Sequence, residues 1–558
     1  MDKIKDEITK WNTSIKVGQE FKEKYGFAGK DHSTWNKNWN YYTDNLAEDT
    51  NVLTYNIIFG MGRAMIPRVY YRNPKISIKP DINCKAMAEP QYLIFASILE
   101  AVDNWLISDI MGIKDTIKGG ILDTYLNGIN FNKIGYDSEY GFKPSHIDSD
   151  INNASVSGYN IKSGERIEYN TNIQPGMPWV SSVDAKDIVV PYGTLFMNNC
   201  RWIAHRIVRH IDDIKADITL DNSKDLKPNM ESKTLTTTGI EDYFEMWEIR
   251  DYKTGKMFII ADGSDKYLYN ENDPLQITGL PYECMTFNPH RKAIWGISDV
   301  KIAMPQQKEM NEARTNDMLM QRQSMKRLFI EEAGMSPKEV EKIFSGEPVG
   351  IIFTKGNPND MMKEVNFTLP MNGNAWVQTI REDAREITGF SRIDSAQFEP
   401  GGRRTAYEVG QVVASSDIRT NERSDIVGDM LTKIITKVNS YIFKFWTESK
   451  IISVIGKDNL PYWVEYSGRE LEGKYIVSAN VENAQPQSTA LRKFEAKELF
   501  TTLIQDPELT PEARQALRMH LISQYDNISS EIIATMQPGQ PLNQPVSLGQ
   551  FSKLQQGI

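Results

Sequence analysis

The sequence predicts an α+β protein of more than one domain. Several long segments repeat apolar residues at helical spacing, and β-branched runs bounded by turn residues lie between them. At 558 residues the chain also exceeds the roughly 250 to 300 residues that one hydrophobic core serves. A hydrophobic fraction of 40% with 10% aromatics supplies material for real cores. The formal net charge of -10 works against a tight, sequence-reading nucleic-acid binder, because such proteins neutralise phosphates with Lys and Arg. The longest apolar stretches, such as Leu53 to Phe59, fall short of the roughly 18 residues of a membrane-spanning helix. Asp2, Asp6 and Glu7 are unlike the start of a secretory signal, so a soluble, intracellular protein without membrane contact is expected. Cys84, Cys200 and Cys284 lie far apart with no CxxC pair. They read as buried small hydrophobes of a reducing compartment, not as a zinc site or disulfide framework.

The first 50 residues, with Trp35, Trp39, Tyr41 and Tyr42, read as a helical, peripheral arm. Leu53 to Ile66 is apolar and contains Gly60 and Gly62, which read as close backbone packing; a nucleotide loop would need a third glycine and a preceding strand. Ile94, Ile98, Val102 and Trp105, then Ile113, Ile117, Ile121 and Tyr125, mark two amphipathic helices, the second stopped by Gly128. Asn130 to Asp137 reads as a strand leading into a Ser/Asn/Gly-rich insertion, and Trp179 to Val190 as β-rich. Glu241 to Asp251 and Met257 to Asp262, joined by Lys253-Thr254-Gly255-Lys256, form a β-hairpin pattern.

After Pro281 the character changes. Ser298 to Leu328 is a polar helix with only a weak apolar stripe, the kind that bridges solvent or packs against copies of itself. A turn-rich region to Pro370 contains a predicted Val349 to Phe353 strand. A second helix places Trp376, Ile380, Ala384 and Ile387 on one face, Glu382, Asp383, Arg385 and Glu386 on the other, and ends at Gly389. Beyond Gly401-Gly402-Arg403-Arg404, a helical pattern from Thr405 to Trp446 spans about 60 Å if unbroken. Its seam is Val427, Leu431, Ile434, Val438, Tyr441 and Phe445, while the polar stretch Ala414 to Asp425 predicts a bend or an exposed section. Strands at Tyr462 to Tyr466 and Lys474 to Ala479 precede two helices, the last opening at Thr510-Pro511-Glu512. The Pro/Gln/Gly-rich tail from Gln537 has a composition that stays disordered unless something, such as a neighbouring subunit, holds it.

No GxxxxGK[ST], GxSxG or HExxH pattern occurs. His205 and His210 are placed on different helix faces, which separates them as metal ligands. His146, Asp148 and Asp150 leave a metal-dependent nuclease as a minor alternative to solvated acids in a polar insertion.

The order α+β body, polar helix, small module, returning helix, loop, long helix and helical C-terminus resembles that of phage portal proteins. The local motifs that carry the likeness are Trp295-Gly296-Ile297-Ser298, Gln307 to Asn311 with Arg314, Lys326, Glu386-Ile387-Thr388-Gly389 and Arg404-Thr405-Ala406-Tyr407-Glu408. Cys200-Arg201-Trp202-Ile203-Ala204-His205-Arg206 resembles the short-tailed-phage branch. The likeness covers about residues 30 to 500 and implies a portal fold with an α+β wing, helical stem, small α/β clip and helical crown. The implied parts are a wing at 1–295, stem helices at 296–328 and 371–389, a clip at 329–370 and a tunnel loop at 390–404. A long helix with the second part of the wing follows at 405–485, and a crown and tail at 486–558.

The resemblance further implies a virion structural protein that is not an enzyme and uses no cofactor. It would form a ring of about twelve copies with heterologous contacts at one capsid vertex, assembled in the host cytoplasm. As head-tail connector it would serve genome packaging and ejection. The implied partners are a terminase, head-tail adaptor or tail proteins, the major capsid protein and double-stranded DNA passing non-specifically. Gln307, Asn311, Arg314, Glu382 and Arg385 would belong to the stem. Gly401, Gly402, Arg403 and Arg404 would form the tunnel loop, where the arginines either touch DNA or pair with carboxylates across a subunit interface. Lys338, Glu341, Lys342 and Lys355 would lie on the partner surface of the clip. Another tail or capsid protein remains the alternative.

Overall fold

A computed structural model describes residues 2–44, 53–81, 83, 89–136, 176–217, 220–228, 243–261, 264–275, 277, 279–323, 327–330, 362–365, 373–388, 406–455 and 461–479, with 497–498, 500–503, 514, 517 and 546–556 toward the C-terminus. The mixed α+β class holds. The chain divides into two compact units, one of 1–37, 62–299 and 403–558, the other of 38–61 and 300–402. No described helix is long and apolar enough to cross a membrane.

The first unit is built on a five-stranded antiparallel sheet of β4 (Ile188–Val189), β5 (Trp202–His210), β6 (Tyr243–Asp251), β7 (Lys256–Ala261) and β8 (Tyr269–Asn272), in that order. Strand side chains alternate between faces, and here both faces are covered. Phe244, Met246, Met257 and Ile259 pack with Ile207, Ile211 and Leu268 on one side. Trp247, Ile249, Phe258 and Ile260 meet Ile8 and Ile15 on the other. These two isoleucines belong to α1 (Asp2–Tyr25), so the N-terminal segment is helical as expected but is part of the core, not peripheral. At its last turn Lys22 is buried and donates to the carbonyls of Ala185, Lys186 and Ile188 at 3.3, 2.6 and 3.0 Å. Burial pushes its pKa down to about 7.

The β-rich stretch from Trp179 to Val190 forms two strands, β3 (Pro178–Val183) and β4, because Asp184 turns the chain by accepting from the Lys186 N–H. β3 joins β2 (Asn130–Tyr136) and β9 (Tyr282–Met285) in a second antiparallel sheet. His205 and His210 both lie on β5 rather than on a helix; an odd spacing of five puts them on opposite strand faces. A buried ion network joins the two sheets. Glu248 receives Lys133 at 3.0 Å and Arg250 at 2.7 Å, and Arg250 reaches Asp273 at 2.6 Å. Burial works against the Glu248 charge, yet Lys133 and Arg250 outweigh it and hold the carboxyl below its ordinary range. Burial, with Lys133 adding to it, pushes the nearby His205 imidazole down to about 3.

The two expected helices are α4 (Pro90–Trp105) and α5 (Ile113–Asn127), and Gly128 ends the second at φ 87. Its backbone lies against that of Gly296, so closely that a Cβ on either would overlap the other's carbonyl oxygen. The neighbouring Trp295 is buried among Phe131, Trp35 and Ile129, and Ser298 donates to the Tyr125 carbonyl at 3.1 Å. The Trp295-Gly296-Ile297-Ser298 motif is thus an anchor on the end of α5.

Two short helices of the N-terminal half, α2 (Ser33–Thr43) and α3 (Ile57–Val69), precede β1 (Ile76–Pro80). Gly60 has no neighbour within 4 Å of its missing Cβ, so the close packing expected at the two glycines does not occur at Gly60; Gly62 is buried. The six-residue α6 (Ile211–Ala216) follows β5. α7 (Asp299–Gln323) stops five residues before the expected Leu328, and β10 (Arg327–Ile330) pairs with β11 (Met362–Val365). The predicted Val349 to Phe353 strand and the helix opening at Thr510 lie outside the described residues.

After α8 (Gly373–Thr388), the long helix is one element, α9 (Ala406–Phe445), of 40 residues. Val427, Leu431, Ile434, Val438 and Tyr441 are fully buried, each worth roughly 1.5–3 kcal/mol; Phe445 is half-buried. The bend or exposed section expected near its polar part is not seen at Arg423 and Ser424. Arg423 pairs with Asp299 at 2.9 Å and Ser424 donates to the Val69 carbonyl at 3.1 Å, so tertiary partners hold these two, while Glu422 and Asp425 on either side are exposed as expected. β12 (Lys450–Ile455) and β13 (Pro461–Tyr466) pair antiparallel, and β14 (Tyr475–Ala479) pairs with β1. The C-terminal segment, expected to depend on a neighbour for order, docks on its own chain. β15 (Val546–Ser547) lies parallel to β13, and α10 (Leu548–Gln556) buries Leu548 and Phe551.

Asp103 on α4 is fully buried, and Asn439 of α9 donates to its Oδ2 at 3.0 Å. Burial pushes its pKa well above the ordinary range, and Glu100 adds to the push. Among the described residues neither Asp103 Oδ1 nor Asn439 Oδ1 has a donor; a proton on Asp103 turns one of these two acceptors into a donor. The folded chain keeps this proton where the unfolded chain loses it near pH 4. Stability from this site therefore falls as pH rises above about 4, by about 1.4 kcal/mol per unit until the folded carboxyl ionises. Asp103→Asn removes the titration, so its Tm relative to the wild type is expected to be higher at pH 8 than at pH 4.5. A Tm difference independent of pH would refute the buried proton.

Candidate functional site

The helices expected to form a stem, α7 and α8, lie in the second unit from Val300 onward, together with 38–61. Their contact is apolar. Met310 of α7 is fully buried against Val377 and Ile380 of α8, with Ile57 and Ala313 at the margin. The buried stripe of α8 is therefore Val377, Ile380 and Ala384. Trp376 and Ile387, expected on the same face, are 55% and 43% exposed, because at 100° per residue the stripe turns onto Val377 instead.

The polar residues of α7 have a definite task. Gln307, Asn311 and Thr315 recur every four residues and so share one helix face. Gln307 Oε1 accepts from the backbone N–H of Ile57 at 2.8 Å and of Ile58 at 3.3 Å, and its Nε2 donates to the Tyr55 carbonyl at 2.8 Å. The same Nε2 donates to Asn311 Oδ1 at 2.8 Å, which also accepts from the Tyr55 N–H at 3.1 Å. Thr315 Oγ1 accepts from the Leu53 N–H at 3.0 Å. The face binds the backbone of 53–58 as a strand's partner would. That segment is fixed from its other side by Asn56, whose amide donates to the carbonyls of Tyr41 and Tyr42 and whose Oδ1 accepts from Phe59 N–H at the start of α3. Arg381 of α8 lies over the Tyr55 ring at 5.5 Å.

Of the expected stem residues, Gln307 and Asn311 are buried and engaged with their own chain, so they are not a free channel or neighbour surface. Arg314 and Glu382 are exposed and Arg385 is half-buried. On α8 the exposed charges Glu382, Asp383 and Glu386 are acidic and the half-buried Arg381 and Arg385 lie beside them, a surface with more acid than base exposed, which disfavours tight phosphate binding. Thr315 and Asn56 escaped the sequence reading, although the Gln, Asn, Thr spacing of four was there to see; nothing local named 53–58 as the partner. Gly401, Gly402, Arg403, Arg404, Lys338, Glu341, Lys342 and Lys355 lie outside the described residues, as do His146, Asp148 and Asp150. Among the described residues no group of three or more His, Cys, Asp or Glu could hold a metal ion.

Leaving a buried backbone donor or acceptor without a partner costs about 1–3 kcal/mol. Gln307→Leu strands such groups at Tyr55 and Ile57 and is expected to lower stability by at least about 2 kcal/mol in urea unfolding. Arg314→Ala, on the exposed face, is expected to change it by less than about 0.5 kcal/mol, and equal effects would contradict the assignment. Compared with known protein families and with curated proteins, the chain matches none.

Proposed function

We propose that the chain is the subunit of a phage portal, the ring at one capsid vertex through which DNA enters and leaves. The observation that carries the reading is the order of elements in the second unit and after it. Polar helix α7 leads into the β10–β11 pair, α8 returns, and the 40-residue α9 follows. Stem, clip, stem and long helix occur in that order in portals. The excess of exposed acid on α8 supports the same reading. Each phosphate neutralised by a cation releases counterions and strengthens binding, so a wall past which DNA slides in both directions needs few cations. Gln307 and Asn311 contribute by fastening α7, against which α8 packs, to the backbone of 53–58, not by touching DNA.

In this reading the chain performs no catalysis and binds no cofactor. A terminase engages the clip during filling, adaptor and tail proteins take its place, and the major capsid protein surrounds the ring. Arg403 and Arg404 in the tunnel loop are the exceptional cations. Native mass measurement of the purified protein is expected to give a ring of about twelve copies with a central hole in images along its axis. Compact monomers under all conditions would end the proposal. Arg403→Ala with Arg404→Ala is expected to lower the genome length retained in the capsid several-fold; unchanged packaging and retention would remove the loop from DNA handling.

A further inference from the structure

The segment 546–556 is a self-contained docking element. Ser547 and Gln550 form a reciprocal capping box: the Ser547 N–H donates to Gln550 Oε1 at 3.2 Å, and the Gln550 N–H donates to Ser547 Oγ at 3.4 Å. That closes the first turn of α10 from within. Ahead of it, Val546 and Ser547 pair with Val464 and Glu465 of β13, and behind it Leu548 and Phe551 are 6% and 1% exposed. The receiving surface is β13 and α4. It reads the element by main-chain pairing along a strand edge plus two apolar anchors three residues apart, the chemistry of a strand-adding peptide site.

Nothing in this contact depends on which copy supplies the element. β15 is parallel to β13, so no tight hairpin ties the two together. The stretch 518–545 that leads to it is long enough to span at most about 95 Å. An element with its own cap, two paired residues and two anchors docks equally well on an identical site of a neighbour, as in domain swapping. The same sheet turns Ile451 and Trp463 outward, 53% and 50% exposed. Both belong to the register set of Glu465 and Ser547, so an apolar surface continues beside the docked strand.

We propose that the edge of β13 with α4 is a peptide-binding site whose ligand in the assembled protein is residues 546–556 of a second copy of this chain. This rests on the ring reading above for the presence of the neighbour. The exchange converts a weak contact into one multiplied around the ring at high effective concentration, and it puts the neighbour beside Ile451 and Trp463.

The test uses two full-length chains with different tags, one Val464→Cys and the other Val546→Cys, produced together and oxidised. A disulfide-linked heterodimer that disappears on reduction is expected, at about a quarter of the contacts if the chains mix at random. Each variant alone should give none, which sets aside the native cysteines. No heterodimer, while a chain carrying both substitutions cross-links only within itself, overturns the exchange. No cross-link in either format overturns the docking site itself. Native mass distinguishes the two levels: intact rings without heterodimer sink only the exchange, whereas monomers sink the ring reading and the exchange together.

Discussion

The close approach of Gly128 and Gly296 is a constraint on which much of the first unit depends. The end of α5 and the entry to α7 touch backbone to backbone, and no side chain fits on either glycine. With the two segments so close, Ser298 reaches the last turn of α5, Trp295 enters the core beside Phe131, and Asp299 is held where Arg423 of α9 pairs with it. A short glycine contact thus fixes the chain from Trp295 to Asp299, and a buried ion pair ties Asp299 to the longest described helix. Since Gly128 has φ 87, a conformation other residues adopt only at a cost, backbone geometry and packing demand glycine at the same point.

Buried polarity recurs as the way this protein fastens its parts. Lys22 closes α1 onto three carbonyls, Lys133 and Arg250 meet on Glu248 between two sheets, and Gln307 and Asn311 bond the backbone of 53–58. Each of these groups would be costly if left without a partner, so each restricts the fold to the arrangement that satisfies it. Apolar contacts supply the bulk of the stabilisation, as on the seam of α9, but tolerate more alternatives in register and angle.

The two ends of the chain share a feature that composition conceals. Both the N-terminal 25 residues and the last eleven described residues are polar overall, yet each places a few spaced apolar side chains on a sheet: Ile8 and Ile15 in one case, Leu548 and Phe551 in the other. Average polarity therefore says little about docking when two anchors at helical spacing suffice.

From the sequence alone came the α+β class, the helices at 90–105, 113–127 and 406–445, the hairpin of β6 and β7, and the glycine stop at 128, because all of these are set by local periodicity and backbone preference. The long helix kept its full length through a polar stretch, since helical propensity is local. What lay beyond the sequence was every decision that depends on a distant partner. Gln307 and Asn311 looked like surface residues because their partner, the backbone of 53–58, carries no side-chain signature. Trp376 and Ile387 looked buried because a stripe can rotate by one residue without changing its period. The C-terminal segment looked unattached because parallel pairing to a strand some eighty residues earlier leaves no short-range trace. Periodicity specifies which residues can share a face; only the assembled core specifies what that face meets.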